Sequence, residues 1–146
     1  MKTIYSISIL LLTLVSVNSF AQTHKTVTKK PTSTLSSQVA AGQKVYLARC
    51  LTCHQVDGGG VQNMNPPLTG TPYVLGDKTR LIKIVLNGFN ERVEILGDIY
   101  NNPMPAQNTL SDQEIADVLT YVRNSFGNKA SAINVSEVKK VRATAK

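Results

Sequence analysis

The chain has 146 residues, a formal net charge of +7, and only two cysteines and two histidines. This length suits one domain with a modest core, and the sequence has no internal repeat. The positive charge lies at the two ends, because residues 37–127 hold seven basic and eight acidic side chains. A near-neutral centre argues against a nucleic-acid partner.

The first 21 residues have the pattern of a secretory signal peptide. Lys2 supplies the positive charge, residues 4–17 form a short apolar run, and Ser19 and Ala21 offer small residues for cleavage. The apolar run is shorter than the roughly 20 residues that a membrane-spanning helix needs. We therefore expect an exported, periplasmic protein with no stable membrane insertion.

Residues 22–36 are rich in threonine, serine and lysine, and they predict a flexible polar lead-in. A first helix is predicted from Ser36 or Ser37, either of which is a plausible N-cap. Its residues at helical spacing are Val39, Gly42, Tyr46 and Cys50. A long loop rich in glycine and proline follows, and loops of that length in a small domain are usually functional.

Two more helices are predicted further along the chain. Asp77 can cap a helix over residues 78–87 that Gly88 ends, with an apolar face of Leu81, Ile82, Val85 and Leu86. Ser111 and Glu114 predict a capping box for the last helix, which Gly127 would end. The buried stripe of that helix is predicted to be Ile115, Val118, Leu119 and Val122.

These patterns predict an all-α domain over residues 37–127, with three main helices, long loops and no strand pair. The apolar faces provide about a dozen large side chains, few for a core of this size, so a bound group is expected to fill part of the interior. Residues 128–146 form a basic C-terminal tail. Its composition favours a solvated segment, and a segment that orders on a partner is the alternative.

Residues 49–56, "RCLTCHQV", hold both cysteines, with His54 directly behind Cys53. This spacing is compatible with a redox dithiol, part of a zinc site, or a covalent haem attachment point. A structural zinc site needs four ligands, and this motif supplies at most three. A redox dithiol is expected at a strand-to-helix turn, which the pattern here lacks.

The haem interpretation uses every residue of the motif. Cys50 and Cys53 can form thioethers with one haem, and His54 is then held as an axial iron ligand. For the other face of the iron, Met104 is favoured because Pro103 and Pro105 stiffen its backbone. Met64, ten residues after His54, is predicted to be a surface or packing residue.

With these motifs, the sequence resembles the class I, single-haem cytochromes c. The resemblance covers about residues 38–126 and is carried by "AAGQKVYLARCLTCHQVDGGG", "NPPLTGT" and "NNPMPAQNTLSDQEIADVLTYVRN". It implies a cytochrome c fold wrapped around one covalent c-type haem. It also implies that the Pro66 carbonyl accepts a hydrogen bond from His54 and that Leu68 packs on the porphyrin.

The resemblance further implies how the first and last helices pack. Gly42 and Tyr46 would let the first helix cross the last one closely, near Val118 and Tyr121. Periodicity alone gives no such role to these residues.

The predicted function is periplasmic one-electron transfer rather than an enzyme activity, because two protein ligands leave the iron no open position. The alternative is a haem-bearing subunit of a larger periplasmic oxidoreductase. The stretch "YVRNSFGNKAS" is similar to cytochrome domains that accompany quinoprotein or sugar dehydrogenases, or that are fused to copper nitrite reductases. A periplasmic dehydrogenase, a nitrite reductase or a terminal oxidase is therefore the expected redox partner, with docking that depends weakly on salt.

Overall fold

The structure is a computed structural model that describes residues 34–144, so the predicted signal peptide and most of the predicted lead-in lie outside the described residues. In chain order the helices are α1 (Leu35–Arg49), α2 (Leu51–His54), α3 (Pro72–Leu75) and α4 (Lys78–Asn87), then α5 (Asp112–Arg123) and α6 (Val135–Thr144). Strands β1 (Val93–Ile95) and β2 (Asp98–Tyr100) lie between α4 and α5. None of the helices within residues 34–144 is long and apolar enough to cross a membrane.

Helix α1 crosses α5, and Gly42 lies at the crossing. A Cβ atom on Gly42 would overlap the Asp117 carbonyl group and would lie 2.8 Å from the Tyr121 Cβ. One turn further on, the rings of Tyr46 and Tyr121 pack with their centroids 5.3 Å apart. The two backbones can approach this closely because position 42 has no side chain.

The local signals for α4 and α5 are confirmed. Asp77 caps α4 by accepting from the Arg80 N–H, and all four residues of the predicted apolar face are buried. The capping box of α5 is complete, since Ser111 and Glu114 each accept from the backbone N–H of the other. Helix α5 ends at Arg123 rather than at Gly127, because Asn124 leaves the helical conformation first.

The first predicted helix differs at both ends. Its N-cap is Thr34, not Ser36 or Ser37, since the extended Thr34 backbone lets its side chain accept from the Ser37 N–H. The helix also breaks at Cys50, where φ is −117°, and resumes as the short α2. The haem motif therefore straddles two helical segments.

The expectation of no strand pair is wrong. β1 and β2 form an antiparallel hairpin in which Val93 pairs with Tyr100 and Ile95 with Asp98. Each strand has only three residues, too few for a periodic signal to stand out. A short helix, α3, was also missed, although Thr71 caps it and Pro72 opens it.

The preference for a solvated C-terminal tail is wrong for residues 128–144. Residues 135–144 form α6, which packs against α4 and α5. Ile133, Val138 and Val141 are buried in the common core. The weakly spaced apolar residues of this segment therefore form a core face. The boundaries of the predicted domain, residues 37–127, remain a prediction.

Candidate functional site

The two cysteines lie at the junction of α1 and α2. Cys50 is partly buried and Cys53 is exposed, and the two do not form a disulfide with each other. Burial and then the neighbouring Cys53 raise the pKa of Cys50 to about 11. A reactive redox dithiol depends on a lowered thiol pKa, so this environment does not favour that interpretation.

His54 ends α2 and is buried. Its Nδ1 atom lies 3.1 Å from the carbonyl oxygen of Pro66, which is the contact that the resemblance implies. Burial lowers the pKa of His54, and the hydrogen bond to Pro66 opposes that change only in part. A neutral imidazole that donates through Nδ1 has its Nε2 lone pair available for a metal.

The loop after His54 is folded tightly enough to bring Pro66 back to the imidazole. The Gly60 N–H donates to the His54 carbonyl at 3.1 Å, and the Leu68 N–H donates to the Gly58 carbonyl at 2.7 Å. At Gly60 the backbone φ is +68°, and a Cβ atom there would lie 2.7 Å from the Pro66 oxygen. Sequence reasoning missed this role of Gly60, although the run of three glycines was a signal of close backbone approach.

The backbone of Met104 is hydrogen-bonded to Phe89, the second residue after α4. Its N–H donates to the Phe89 carbonyl at 2.7 Å, and the Phe89 N–H donates back at 2.9 Å. Gly88, predicted only as a helix stop, has a φ of +78°, and a Cβ atom there would lie 2.5 Å from the Met104 oxygen. The methionine loop, which is residues 101–111 between β2 and α5, is thus joined to α4 at a point where only glycine fits.

A single cavity brings the predicted site residues together. All six predicted cofactor-binding residues line it: Cys50, Cys53, His54, Pro66, Leu68 and Met104. Met64 does not belong to this lining and is 50% exposed, as predicted for a surface residue. The cysteine motif and the Pro66–Leu68 end of the loop that follows it therefore share a cavity with Met104, which is distant in sequence.

The rest of the cavity wall is mostly apolar. Side chains of α4 and α5 contribute to it, as do Ile95 and Tyr100 of the hairpin. Counted together with the part that is open to solvent, the space inside the cavity is about 1190 Å³. Two thiols, an imidazole and a thioether on the wall of a large apolar cavity fit a covalent haem.

Comparison with known proteins agrees with this chemistry. The family model described as Cytochrome c matches residues 39–126, which is more than half of the chain. The chain therefore belongs to the cytochrome c family, whose members carry covalently bound c-type haem and transfer electrons. This membership decides between the three interpretations of the cysteine motif in favour of haem.

The chain is similar to two kinds of curated relative. It is 41% identical over 111 residues to the cytochrome c subunit of alcohol dehydrogenase (quinone) from Gluconobacter oxydans, a match that covers 71% of this chain and 22% of the relative. It is 34% identical over 113 residues to cytochrome c-552 from Thermus thermophilus, covering 71% of this chain and 86% of the relative. A third relative is the gluconate 2-dehydrogenase cytochrome c subunit of Pantoea cypripedii. The two are 37% identical over 94 residues, a match that covers 62% of this chain and 21% of the relative.

The coverage differs sharply between these relatives. The match spans about a fifth of the length of the dehydrogenase subunits and most of the length of cytochrome c-552. The shared part is therefore the haem domain.

Proposed function

We propose that the protein is a periplasmic single-haem electron carrier with His54 and Met104 as the axial ligands of the iron. Cys50 and Cys53 hold the haem as thioethers. The observation that carries this proposal is that His54, tied to Pro66 at 3.1 Å, and the bridged Met104 line the same apolar cavity. When bound, such a haem supplies reversible one-electron exchange between Fe(II) and Fe(III).

The surrounding residues set the conditions for that exchange. The Pro66 carbonyl fixes the tautomer and orientation of His54, and this hydrogen bond makes the imidazole a more basic ligand. The Met104 thioether favours the reduced iron relative to a second histidine, so the carrier is a fairly oxidising one. Leu68 and the aliphatic side chains of α4 and α5 would surround a bound haem with apolar groups.

This ligand set supports electron transfer rather than catalysis. With His54 and Met104 both bound to it, the iron would have no free position for a substrate or for dioxygen. An enzyme would need Met104 to leave, and the short backbone bridge to Phe89 opposes that.

The proposed electron donor is a dehydrogenase, because several relatives are cytochrome c subunits of alcohol, gluconate or fructose dehydrogenases. A nitrite reductase or a terminal oxidase as acceptor remains a prediction from the sequence alone. A second candidate function, a haem subunit in a stable dehydrogenase complex, is favoured by the same relatives. The free-carrier form is favoured by the similarity to cytochrome c-552, because the match covers 86% of that protein's length.

The test is a spectrum of the exported protein, oxidised and reduced, with a haem stain of a denaturing gel. We expect haem that stays with the denatured chain, and in the oxidised protein a weak sulfur-to-iron absorption that Met104→Ala abolishes. Met64→Ala is the matched control, since Met64 is exposed outside the cavity lining. Retention of the band in Met104→Ala would refute the ligand assignment.

The free-carrier and subunit forms are separated by the size of the protein in periplasmic extracts. A free carrier elutes at the mass of one chain with its haem. Co-elution of the haem with a dehydrogenase activity would instead favour the subunit.

A further inference from the structure

Helix α6 is held on the helical core by an apolar face and by an ion pair near each end. Val138 and Val141 are buried against α4 and α5. Towards the start of α6, Lys78 Nζ lies 3.2 Å from the Glu137 carboxylate. Towards its end, Arg142 Nε lies 2.6 Å from Asp112 Oδ1.

The second ion pair extends to the methionine loop. Besides Asp112, the Arg142 guanidinium donates from Nη1 to the Asn108 carbonyl at 3.0 Å and from Nη2 to the Leu110 carbonyl at 2.6 Å. Both carbonyls belong to the segment between Met104 and α5. One side chain of α6 thus binds three groups across the end of this loop.

The loop is tied to the core at two other places. Met104 is bridged to Phe89, and the Gln107 N–H donates to the Val85 carbonyl at 2.8 Å. Beyond Gln107, Arg142 provides side-chain ties to Asn108 and Leu110. Displacing Met104 from the cavity requires this short segment to move, so these contacts oppose the displacement.

We propose that Arg142 is a positioning residue that restrains the methionine loop and thereby limits the dissociation of the Met104 sulfur from the iron. This inference rests on the proposed function of Met104. The planar guanidinium is suited to the role because it presents several donors in a fixed fork, whereas lysine presents a single point charge. Helix α6 lies in a segment whose composition predicted a solvated tail, and by this proposal it is a functional part of the haem site.

The experiment measures how readily added imidazole replaces Met104 in the oxidised full-length holoprotein, followed by loss of the sulfur-to-iron absorption. The apparent affinity for imidazole depends on the fraction of molecules whose loop is open. We expect Arg142→Gln to bind imidazole roughly five- to thirty-fold more tightly, the change that a loss of one or two hydrogen-bonded contacts produces. Arg142→Lys should lie between this variant and the unchanged protein.

Lys78→Gln is the matched control, because it removes the ion pair at the other end of α6, and within residues 34–144 the Lys78 side chain is hydrogen-bonded only to Ala132 and Glu137. It should lower the stability of the fold and leave the imidazole affinity unchanged. Equal affinity in Arg142→Gln and the unchanged protein would overturn the proposal, as would an equal rise in Lys78→Gln. If Arg142→Gln does not fold, Arg142→Lys decides by the same comparison.

The outcome also separates this inference from the proposed function. If the unchanged oxidised protein has no absorption that depends on Met104, the ligand assignment fails and the role of Arg142 falls with it. If that absorption is present but imidazole replaces Met104 with the same apparent affinity in Arg142→Gln and in the unchanged protein, only the role of Arg142 is refuted.

Discussion

Met104 and Phe89 are joined by two backbone hydrogen bonds, of 2.7 and 2.9 Å, that form an isolated antiparallel bridge. The bridge places the predicted sixth ligand beside the C-terminal end of α4. It exists because Gly88 turns the chain with a φ of +78° and leaves room for the Met104 carbonyl. The position of the methionine therefore depends on a glycine that is 16 residues away in sequence.

The first prediction concerns that glycine. Gly88→Ala adds a Cβ atom 2.5 Å from the Met104 oxygen and strains a left-handed backbone. We expect a loss of roughly 1–3 kcal/mol in unfolding free energy, together with weaker sulfur-to-iron absorption. Gly127→Ala is the control, because its φ is +80° and nothing lies within 4 Å of the added atom. An equal weakening of the absorption in both variants would refute the role of the bridge.

The second prediction concerns the hydrogen bond between Pro66 and His54. In Gly60→Ala the added atom would lie 2.7 Å from the Pro66 oxygen, so that carbonyl must move. A weaker hydrogen bond makes His54 a less basic ligand and stabilises the oxidised iron less, so we expect the reduction potential to rise. Redox titration of Gly70→Ala is the control, because Gly70 also has a positive φ, +67°, but nothing lies within 4 Å of a Cβ atom added there. A potential that is unchanged, or that falls, in Gly60→Ala contradicts the prediction.

The third prediction tests the crossing of α1 and α5. Replacing a helical glycine by alanine normally stabilises a protein by about 0.5–1 kcal/mol. Gly42→Ala should instead destabilise this one by roughly 1–3 kcal/mol, because its methyl group overlaps the Asp117 carbonyl and the Tyr121 side chain. Denaturant unfolding of the holoprotein measures the change, with the exposed Gln43→Ala as control. Stabilisation by Gly42→Ala would show that the helices do not approach this closely.

The fourth prediction concerns the acid sensitivity of α6. Burial raises the pKa of Glu137, but hydrogen bonds from the Asn134 N–H and Lys78, with the charge of Lys78, outweigh it and lower the pKa below its ordinary 4.5. The carboxylate therefore stabilises the fold above that value, and this contribution is lost as the pH falls through the lowered pKa.

Glu137→Gln should accordingly flatten the dependence of unfolding free energy on pH below about 4.5. Glu94→Gln, at an exposed position of β1, is the control. If the two variants have the same acid profile as the unchanged protein, Glu137 does not hold α6 by its charge.

Local chemistry made part of this protein predictable from its sequence. The Asp77 cap and the Ser111–Glu114 capping box are formed by residues three positions apart, so α4 and α5 could be placed without tertiary information. The cysteine motif is equally local, and its three possible chemistries were narrowed to covalent haem by ligand count, by sequence context and by the predicted export signal. The proline-flanked Met104 could be predicted as a ligand because its neighbours restrict its own backbone.

Other features had no local signal strong enough to predict them. The three-residue strands of the hairpin are stabilised by their cross-strand partners, so their sequence alone is ambiguous. The spacing of Val138 and Val141 was too weak to identify a core face until α4 and α5 provided the surface that buries it.

The sequence by itself determined the haem motif, the two capped helices and the candidate ligands, because each depends on residues a few positions apart. Only the tertiary structure decided how the turn at Gly60 brings Pro66 to His54, that Gly88 admits Met104, and that Arg142 binds the end of the methionine loop. These contacts join residues from 12 to 34 positions apart in the chain. Their geometry follows from how the helices pack, and no spacing pattern encodes that packing.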